Sequence, residues 1–214
     1  MLSLINHFTA KILMAAKDRD SIRQISKRIR ESYGWTYKWI LELEKIGVLK
    51  RRNQEIYIDR NSAFYKNFIR LIANSNAAFS LEDDYLLPNL AGHDYIFTST
   101  DAVFIWRKGG YNIARSKDSY PIFIQILEND RKAWTDFFSK FGTNYTFKNE
   151  RRKGIYFVIS TSGFFEKEYC EEMPVLPLNK TVEWARSYAF NFQPALEMLD
   201  KMYGLKTGMK YVEV

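Results

Sequence analysis

Hydrophobic residues in the first third of the chain recur every three or four positions, the spacing that places them on one face of a helix. This pattern predicts three helices, over residues 3–17, 21–31 and 35–46. The Ser-Tyr-Gly segment at residues 32–34 is predicted to form a tight turn whose glycine can take a positive φ. Gly47 is predicted to end the third helix.

The periodicity then changes to the alternation that is typical of β-strands. Residues 48–51 and 56–58 are predicted strands, joined by a polar turn at residues 52–54. Another amphipathic helix is predicted over residues 62–72, and its apolar side chains are Phe64, Phe68, Leu71 and Ile72. This joining helix would either dimerise or pack against the protein's own second half, and the pattern does not separate the two alternatives.

Strand patterns are more frequent in the remaining two thirds of the chain. Apolar and β-branched runs predict strands at residues 95–98, 102–106, 111–114, 121–127, 144–148 and 154–160. Helical spacing predicts helices at residues 130–141, 179–188 and 193–203. We therefore expect an α+β protein with two domains, residues 1–78 and a larger mixed α+β domain at residues 79–214.

Positive charge is concentrated in the first of these domains. Residues 1–70 contain 15 lysines and arginines against 7 aspartates and glutamates, whereas residues 71–214 contain 17 against 18. A local excess of cations favours a polyanion as partner, because each phosphate contact needs a nearby positive charge. A solvated basic surface is the alternative interpretation of the same distribution.

The composition argues against several other classes of protein. No segment approaches the roughly 18 apolar residues that span a bilayer, and the N-terminal residues lack the pattern of a secretory signal. The single cysteine, Cys170, has no partner for an internal disulfide. The two histidines, His7 and His93, are far apart and predict no metal site. We expect a cytoplasmic protein that contacts no membrane and needs no cofactor.

Two segments resemble the MarR/ArsR-like family of winged helix-turn-helix regulators. Residues 22–29 read Ile-Arg-Gln-Ile-Ser-Lys-Arg-Ile, and residues 43–51 read Leu-Glu-Lys-Ile-Gly-Val-Leu-Lys-Arg, the family's junction between third helix and hairpin. The likeness covers about residues 3–60. It implies a winged helix in the first domain, with residues 35–46 as recognition helix, that binds double-stranded DNA as a homodimer and regulates transcription.

The winged-helix layout indicates which side chains face the DNA. In the third helix, Thr36, Ile40 and Leu43 are predicted to point inward. The side chains predicted to contact DNA are Trp35, Tyr37 and Lys38 on that helix, Arg51, Arg52 and Asn53 in the hairpin, and Lys27 and Arg28 on the second helix. For Trp35 the alternative is packing against the adjacent turn, and for the hairpin cations it is an edge kept soluble by charge.

The last third of the chain resembles the end of AbiEi-type antitoxins. The run Met-Pro-Val-Leu-Pro-Leu at residues 173–178, followed by Thr-Val-Glu-Trp-Ala at residues 181–185, carries this likeness. Those proteins join an N-terminal winged helix to a C-terminal domain related to nucleotidyltransferases. The resemblance implies, as an alternative function, an autoregulator whose second domain binds a partner protein.

The catalytic motif of a nucleotidyltransferase is missing from the sequence. Such an enzyme needs a Gly-Ser turn and then two carboxylates that alternate along a strand and hold metal ions. Here Ser162 precedes Gly163, and Glu166 and Glu168 follow too closely. We therefore expect no enzymatic activity, and we expect the second domain to bind a small ligand or a protein, or to dimerise.

Overall fold

The described residues form helices and two separate β-sheets, which confirms the predicted α+β class. The computed structural model describes residues 6–74, 80–113, 115–116 and 118–205. Its helices are α1 (His7–Ala15), α2 (Ile22–Arg28), α3 (Tyr33–Lys45), α4 (Ala63–Asn74), α5 (Leu81–Leu86), α6 (Ser99–Trp106), α7 (Arg131–Lys140), α8 (Leu178–Arg186) and α9 (Ala189–Tyr203). Its strands are β1 (Asp20–Ser21), β2 (Leu49–Arg52), β3 (Glu55–Ile58), β4 (Tyr95–Phe97), β5 (Ser119–Leu127), β6 (Tyr145–Thr146), β7 (Gly154–Ser162), β8 (Glu168–Cys170) and β9 (Met173–Val175). Short 3₁₀ helices cover Leu87–Ala91 and Glu128–Asp130.

Two compact units are present, and each is assembled from two separate stretches of the chain. The first unit contains residues 1–93 and 132–143, and the second contains residues 94–131 and 144–214. The boundary predicted near residue 78 lies outside the described residues. Helix α5 and all of α7 after its first residue belong to the first unit, whereas the sequence division assigns both helices to the second domain.

The N-terminal part of the first unit consists of three helices and a small antiparallel sheet. The elements follow one another as α1, β1, α2, α3, β2 and β3, and the strands lie side by side in the order β1-β3-β2. Strands β2 and β3 form a hairpin, and β1 pairs with β3. The core of this part is formed by the buried side chains of Ile12, Leu13, Ile25, Ile40 and Leu43.

Side-chain caps fix where the first two helices begin. Asn6 caps α1 and Ser21 caps α2, each as part of a capping box. In the α2 box, the Ser21 hydroxyl accepts from the backbone N–H of Gln24 at 3.2 Å, and the Gln24 side chain accepts from the backbone N–H of Ser21 at 2.8 Å. The predicted first helix begins in residues 3–5, which lie outside the described residues.

The joining helix α4 buries two of the four residues of its predicted apolar stripe, Phe68 and Ile72, together with Tyr65. Phe64 is half-buried, and Leu71 is 47% exposed. Packing within the chain therefore accounts for the inner side of the stripe, and Leu71 is its exposed member.

A six-stranded mixed sheet in the order β6-β7-β5-β4-β9-β8 is the centre of the second unit. Strands β5 and β7 run parallel along their full nine-residue lengths. Ile122, Ile124 and Ile126 of β5 are completely buried. Because β5 lies between β7 and β4, the prediction of a central strand at residues 121–127 is confirmed.

The predicted strand at residues 102–106 is wrong, because these residues belong to α6. A short apolar run has no periodicity that distinguishes a buried helix from a buried strand. The helix places Asp101 in the interior, where its carboxylate accepts from Arg115 Nη1 at 2.8 Å and from the backbone N–H of Phe123 at 2.6 Å. Residues 111–113, the described part of the next predicted strand, form no strand either.

The last helix also begins earlier than predicted. Pro194 is expected in the first turn of a helix that starts at residue 193, but α9 starts at Ala189 and contains Pro194 in its interior. Because proline has no backbone N–H, it supplies no hydrogen bond to the carbonyl of Phe190 four residues earlier. The rule that places proline at helix starts therefore indicates the wrong boundary here.

Candidate nucleic-acid interface

Helix α3 supplies most of the candidate surface, and it starts before the predicted position. The Ser32 side chain accepts from the backbone N–H of Trp35 at 3.3 Å and caps the helix, which begins at Tyr33. The left-handed residue before it is Arg30, with a φ of 57°, and not Gly34 as predicted. The predicted turn is thus the first turn of the helix, in which the serine cap satisfies the backbone N–H of Trp35.

The inward and outward sides of α3 are as the helical spacing predicts. The inward side is buried and consists of Thr36, Ile40 and Leu43. The outward side, which we name the α3 surface, consists of Tyr33, Trp35, Tyr37 and Lys38. Tyr33 is the member that the sequence analysis missed, because it was assigned to the preceding turn.

Trp35 and Lys38 belong to a stack of side chains that joins α3 to α1. The ring of Trp35 stacks on Phe8 at 4.7 Å and on Trp39 at 6.0 Å between centroids. The ammonium group of Lys38 is 5.5 Å from the ring centroid of Trp35 and 5.8 Å from that of Trp39, a cation–π geometry. Trp35 therefore packs within its own unit and keeps 45% of its surface exposed.

Tyr33 and Tyr37 form a second aromatic pair, which joins α3 to the hairpin. Their ring centroids are 6.0 Å apart, and the guanidinium of Arg51 on β2 lies 5.6 Å from the centroid of Tyr37. Arg51 Nη2 is also 3.5 Å from the carboxylate of Glu44. A hydrogen bond with Tyr37 and, after it, the charge of Glu44 raise the pKa of Arg51. The hairpin and α3 thus share one continuous surface on which this arginine stays charged.

The hairpin turns on two residues rather than on the three predicted. Asn53 and Gln54 have φ values of 48° and 68°, and positive φ at both central residues is what a type I′ hairpin requires. Arg52, predicted at the tip, is instead the last residue of β2. Asn53 is exposed at the tip.

Successive side chains of β2 point to opposite faces of the hairpin. Arg51 lies on the face that meets α3, as its contact with Tyr37 shows. Arg52 lies on the other face, with its guanidinium 5.9 Å from the ring centroid of Tyr57. Arg51 and Arg52, which the sequence predicts together as hairpin contacts, therefore lie on different faces of the hairpin.

Replacing Gln54 with glycine is expected to raise the free energy of unfolding by about 0.5–1 kcal/mol. A side chain in the left-handed conformation costs about 1 kcal/mol, and glycine avoids this cost at the second position of a type I′ turn. Urea unfolding followed by circular dichroism measures the gain. Glu55→Gly, in the adjoining strand, is the control and is expected to lose stability. A lower stability of Gln54→Gly would contradict the expectation and assign favourable contacts to the glutamine side chain.

A groove of about 760 Å³ lies between α2, the start of α3 and the hairpin. We name it the basic groove; its polar lining includes Ser21, Arg23, Lys27, Tyr33, Arg51 and Gln54. Lys27 is exposed, as predicted. Arg23, one helical turn before it, was not assigned a contact from the sequence, although its spacing of four residues from Lys27 places both on one side of α2.

Arg28 does not lie on this surface, contrary to the prediction that it contacts DNA. Its side chain is 2% exposed and forms two hydrogen bonds with Asp20, Nη1 to Oδ2 at 2.6 Å and Nη2 to Oδ1 at 3.1 Å. Arg28 Nη1 also donates to the backbone carbonyl of Ala15. Arg28 therefore ties α2 to the end of α1, and its guanidinium cannot reach a phosphate.

The carboxylates of the second unit that were compared with a nucleotidyltransferase site have structural partners. Glu166 accepts from Lys180 Nζ at 2.8 Å, and Glu168 accepts from the backbone N–H of Leu178 at 3.1 Å. In the part of the chain that the structure describes, no three His, Cys, Asp or Glu side chains are grouped in a way that could hold a metal ion.

Comparisons with protein-family models, with curated proteins and with solved structures found no match to this chain. Among the described residues, no helix is both long and apolar enough to cross a membrane.

Proposed function

We propose that this protein is a transcriptional regulator that binds double-stranded DNA through a winged helix in its first unit. The observation that carries the proposal is the exposed surface of α3 and the adjoining β2–β3 hairpin, on which Arg51 contacts Tyr37 and Lys38 is the next exposed residue of α3. The element order supports it, because helix, strand, helix, helix and hairpin is the order of a winged helix, whose third helix enters the major groove.

The positions of the exposed side chains suggest different contacts for each. Tyr37 and Lys38 lie in the second turn of α3, in its N-terminal half, and the N-terminal part of a recognition helix is the part that meets base edges. A lysine at such a position donates to the acceptors of guanine, and a tyrosine hydroxyl can donate or accept. Arg52 and Asn53, on the outer face and tip of the hairpin, are placed for phosphate contacts, which set affinity and register.

The lack of carboxylate partners for several exposed cations also favours a polyanion as the partner. Lys50 and Arg60 have carboxylates within 2.8 Å and 2.5 Å, so their charges are compensated within the chain. Lys27, Lys38 and Arg52 are exposed, and among the described residues none of them has a carboxylate within 4 Å. Exposed cations without a carboxylate partner attract phosphate and release the counterions that surround a duplex.

The test is selection of genomic DNA fragments by the full chain, followed by fluorescence anisotropy titrations with an enriched duplex and with a scrambled one. We expect Lys38→Ala to weaken binding to the enriched duplex by about 5- to 150-fold, the range for one base contact. The same variant is expected to reduce the preference over the scrambled duplex, because a lost base contact relaxes specificity.

Lys45→Ala is the matched control for this experiment. Lys45 lies on the same helix, at its other end, and is paired with Glu42 at 2.6 Å. Its replacement is expected to leave the affinity within about twofold of the unaltered chain, since an exposed paired lysine contributes little. Failure of the unaltered chain to enrich any fragment, or equal affinities of the two lysine variants, would contradict the proposal.

A further inference from the structure

We infer that the basic groove is a backbone-phosphate site. It would hold a phosphodiester of the duplex beside the DNA major groove that α3 enters. This inference rests on the proposed function and adds to it the surface that positions the duplex. It gives a role to Arg23, Tyr33 and Gln54, to which the sequence analysis assigned none. The chemistry recognised is a phosphate oxyanion, and not a base.

The groove collects positive charge from two elements that are distant in the sequence. Arg23 and Lys27 come from α2, and Arg51 comes from β2. None of the described residues that line it carries a carboxylate. Arg23 and Lys27 are four residues apart on one helix, where like charges repel. An anion bound between them would remove this repulsion, so the groove favours an anionic ligand.

The side chain of Arg51 is held in place by contacts with two residues of α3. Its guanidinium lies over Tyr37 and 3.5 Å from Glu44, and both of those residues belong to α3. The side chain therefore loses little conformational freedom when it binds an oxyanion. A planar guanidinium is also suited to two parallel hydrogen bonds with phosphate oxygens.

Neutral donors line the groove beside the cations. Tyr33 is 54% exposed, and its hydroxyl can donate to an oxyanion. Gln54 carries an amide at a left-handed turn position where glycine would be less strained. The presence of glutamine instead of glycine at this position is explained if its amide donates to a phosphate oxygen. Strain of this kind is found at ligand sites.

The shape of the groove favours a phosphate that belongs to a duplex over a free one. The groove is open and lies between the start of α3 and the hairpin. In a helix-turn-helix the recognition helix lies in the major groove and the helix before it crosses the sugar-phosphate backbone, so a groove between α2 and the start of α3 would face that backbone. Contacts to this backbone fix register and orientation, and their loss weakens binding to every sequence by a similar factor.

The test is the salt dependence of duplex binding by the full chain and by Arg23→Ala/Lys27→Ala, measured by fluorescence anisotropy. Each lost phosphate contact lowers the slope of log K against log salt by about 0.9, so we expect the slope to fall by about 2. Between 50 and 200 mM salt, the loss of affinity is then about tenfold smaller than for the unaltered chain. The enriched and the scrambled duplex should be weakened by the same factor.

Lys66→Ala/Arg70→Ala is the matched control, because it removes the same formal charge from exposed positions on α4. Its salt slope is expected to equal that of the unaltered chain. Equal slopes for all three proteins would overturn the groove assignment while leaving the proposed function standing, whereas absence of any duplex binding by the unaltered chain would overturn both.

Competition by inorganic phosphate separates the two sources of the anion. If phosphate alone saturated the groove at a concentration that left duplex binding unchanged, the backbone assignment would be wrong. Circular dichroism melts show whether both double variants are folded.

Discussion

Replacing Asp20 with alanine is expected to lower the free energy of unfolding of the first unit by about 3–5 kcal/mol. The substitution leaves the guanidinium of Arg28, whose side chain is 2% exposed, buried without its carboxylate. It also removes the acceptor of the Lys17 backbone N–H, which donates to Asp20 at 2.7 Å. Urea unfolding followed by circular dichroism measures the loss, and hydrogen exchange of the α2 amides locates it.

Two further variants separate the causes of that loss. Asp20→Ala/Arg28→Met removes the buried charge as well as its partner, so a large part of the stability should return. Glu42→Ala breaks the exposed pair with Lys45, 2.6 Å long, and should cost less than about 1 kcal/mol. If Asp20→Ala cost no more than Glu42→Ala, then Arg28 would have reached solvent, and its role as the tie between α1 and α2 would be wrong.

Replacing Asp84 with asparagine is expected to stabilise the chain at pH 8 by about 4 kcal/mol and to change its stability little at pH 4. Burial and, after it, the charge of Asp83 raise the pKa of Asp84 from 3.8 to about 7. The folded chain must therefore ionise a buried carboxyl that the unfolded chain ionises near pH 4. Because a factor of ten corresponds to about 1.4 kcal/mol, this difference amounts to about 4 kcal/mol above pH 7.

The sign of the pH dependence follows from the higher pKa in the folded chain. Between about pH 4 and pH 7 the folded chain binds more protons at Asp84 than the unfolded chain does, so stability falls as the pH rises. Below this window Asp84 is protonated in both states, and its stabilising contribution to the free energy of unfolding is fully present. Above pH 7 this stabilising contribution is lost. Urea unfolding of the unaltered chain and of Asp84→Asn from pH 4 to pH 8 measures the growing difference between them.

Asp136 on α7 provides the control for Asp84. Its side chain is 64% exposed and pairs with Lys132, itself 86% exposed, at 2.8 Å. Asp136→Asn should change the free energy of unfolding by less than about 1 kcal/mol at neutral pH, as is usual for an exposed ion pair. Parallel pH profiles for Asp84→Asn and the unaltered chain would show that the Asp84 carboxyl is solvated in the folded state.

Hydrophobic spacing predicted the elements of the first 60 residues well, because each of them has one buried and one exposed side. The burial of Thr36, Ile40 and Leu43 is an example. The ends of these elements were less predictable. The hydroxyl of Ser32 decides where α3 begins, and a serine two residues from a glycine is equally typical of a turn.

Prediction failed where a residue's partner is distant in the sequence or where the local pattern is uniform. Arg28 looks like its exposed basic neighbours, and nothing local indicates the buried Asp20 beside it. Residues 102–106 are apolar throughout, so burial on all sides hides the helical period. Helix α7 is assigned to the first unit by its tertiary packing. The local sequence gives no sign of this packing, because a strand of the second unit lies between α7 and the rest of the first unit in the sequence.

The candidate site was predictable in part. The sequence indicated Tyr37, Lys38, Arg51 and Lys27, and all four side chains are exposed, with Lys27 and Arg51 lining the basic groove. It did not indicate Arg23, because a pair of cations four residues apart on a helix is more often a solvated face. That any of these residues contacts DNA stays a prediction until binding is measured.

The path of the chain between the two units has a consequence for its synthesis on the ribosome. The first unit is complete when residues 132–143 have joined it, and residues 94–131 of the second unit precede them. Strand β5 therefore emerges before α7, whereas β7, its parallel neighbour, emerges afterwards. While the first unit closes, the nascent chain carries a long apolar strand with one edge unpaired, the kind of edge that associates with other chains.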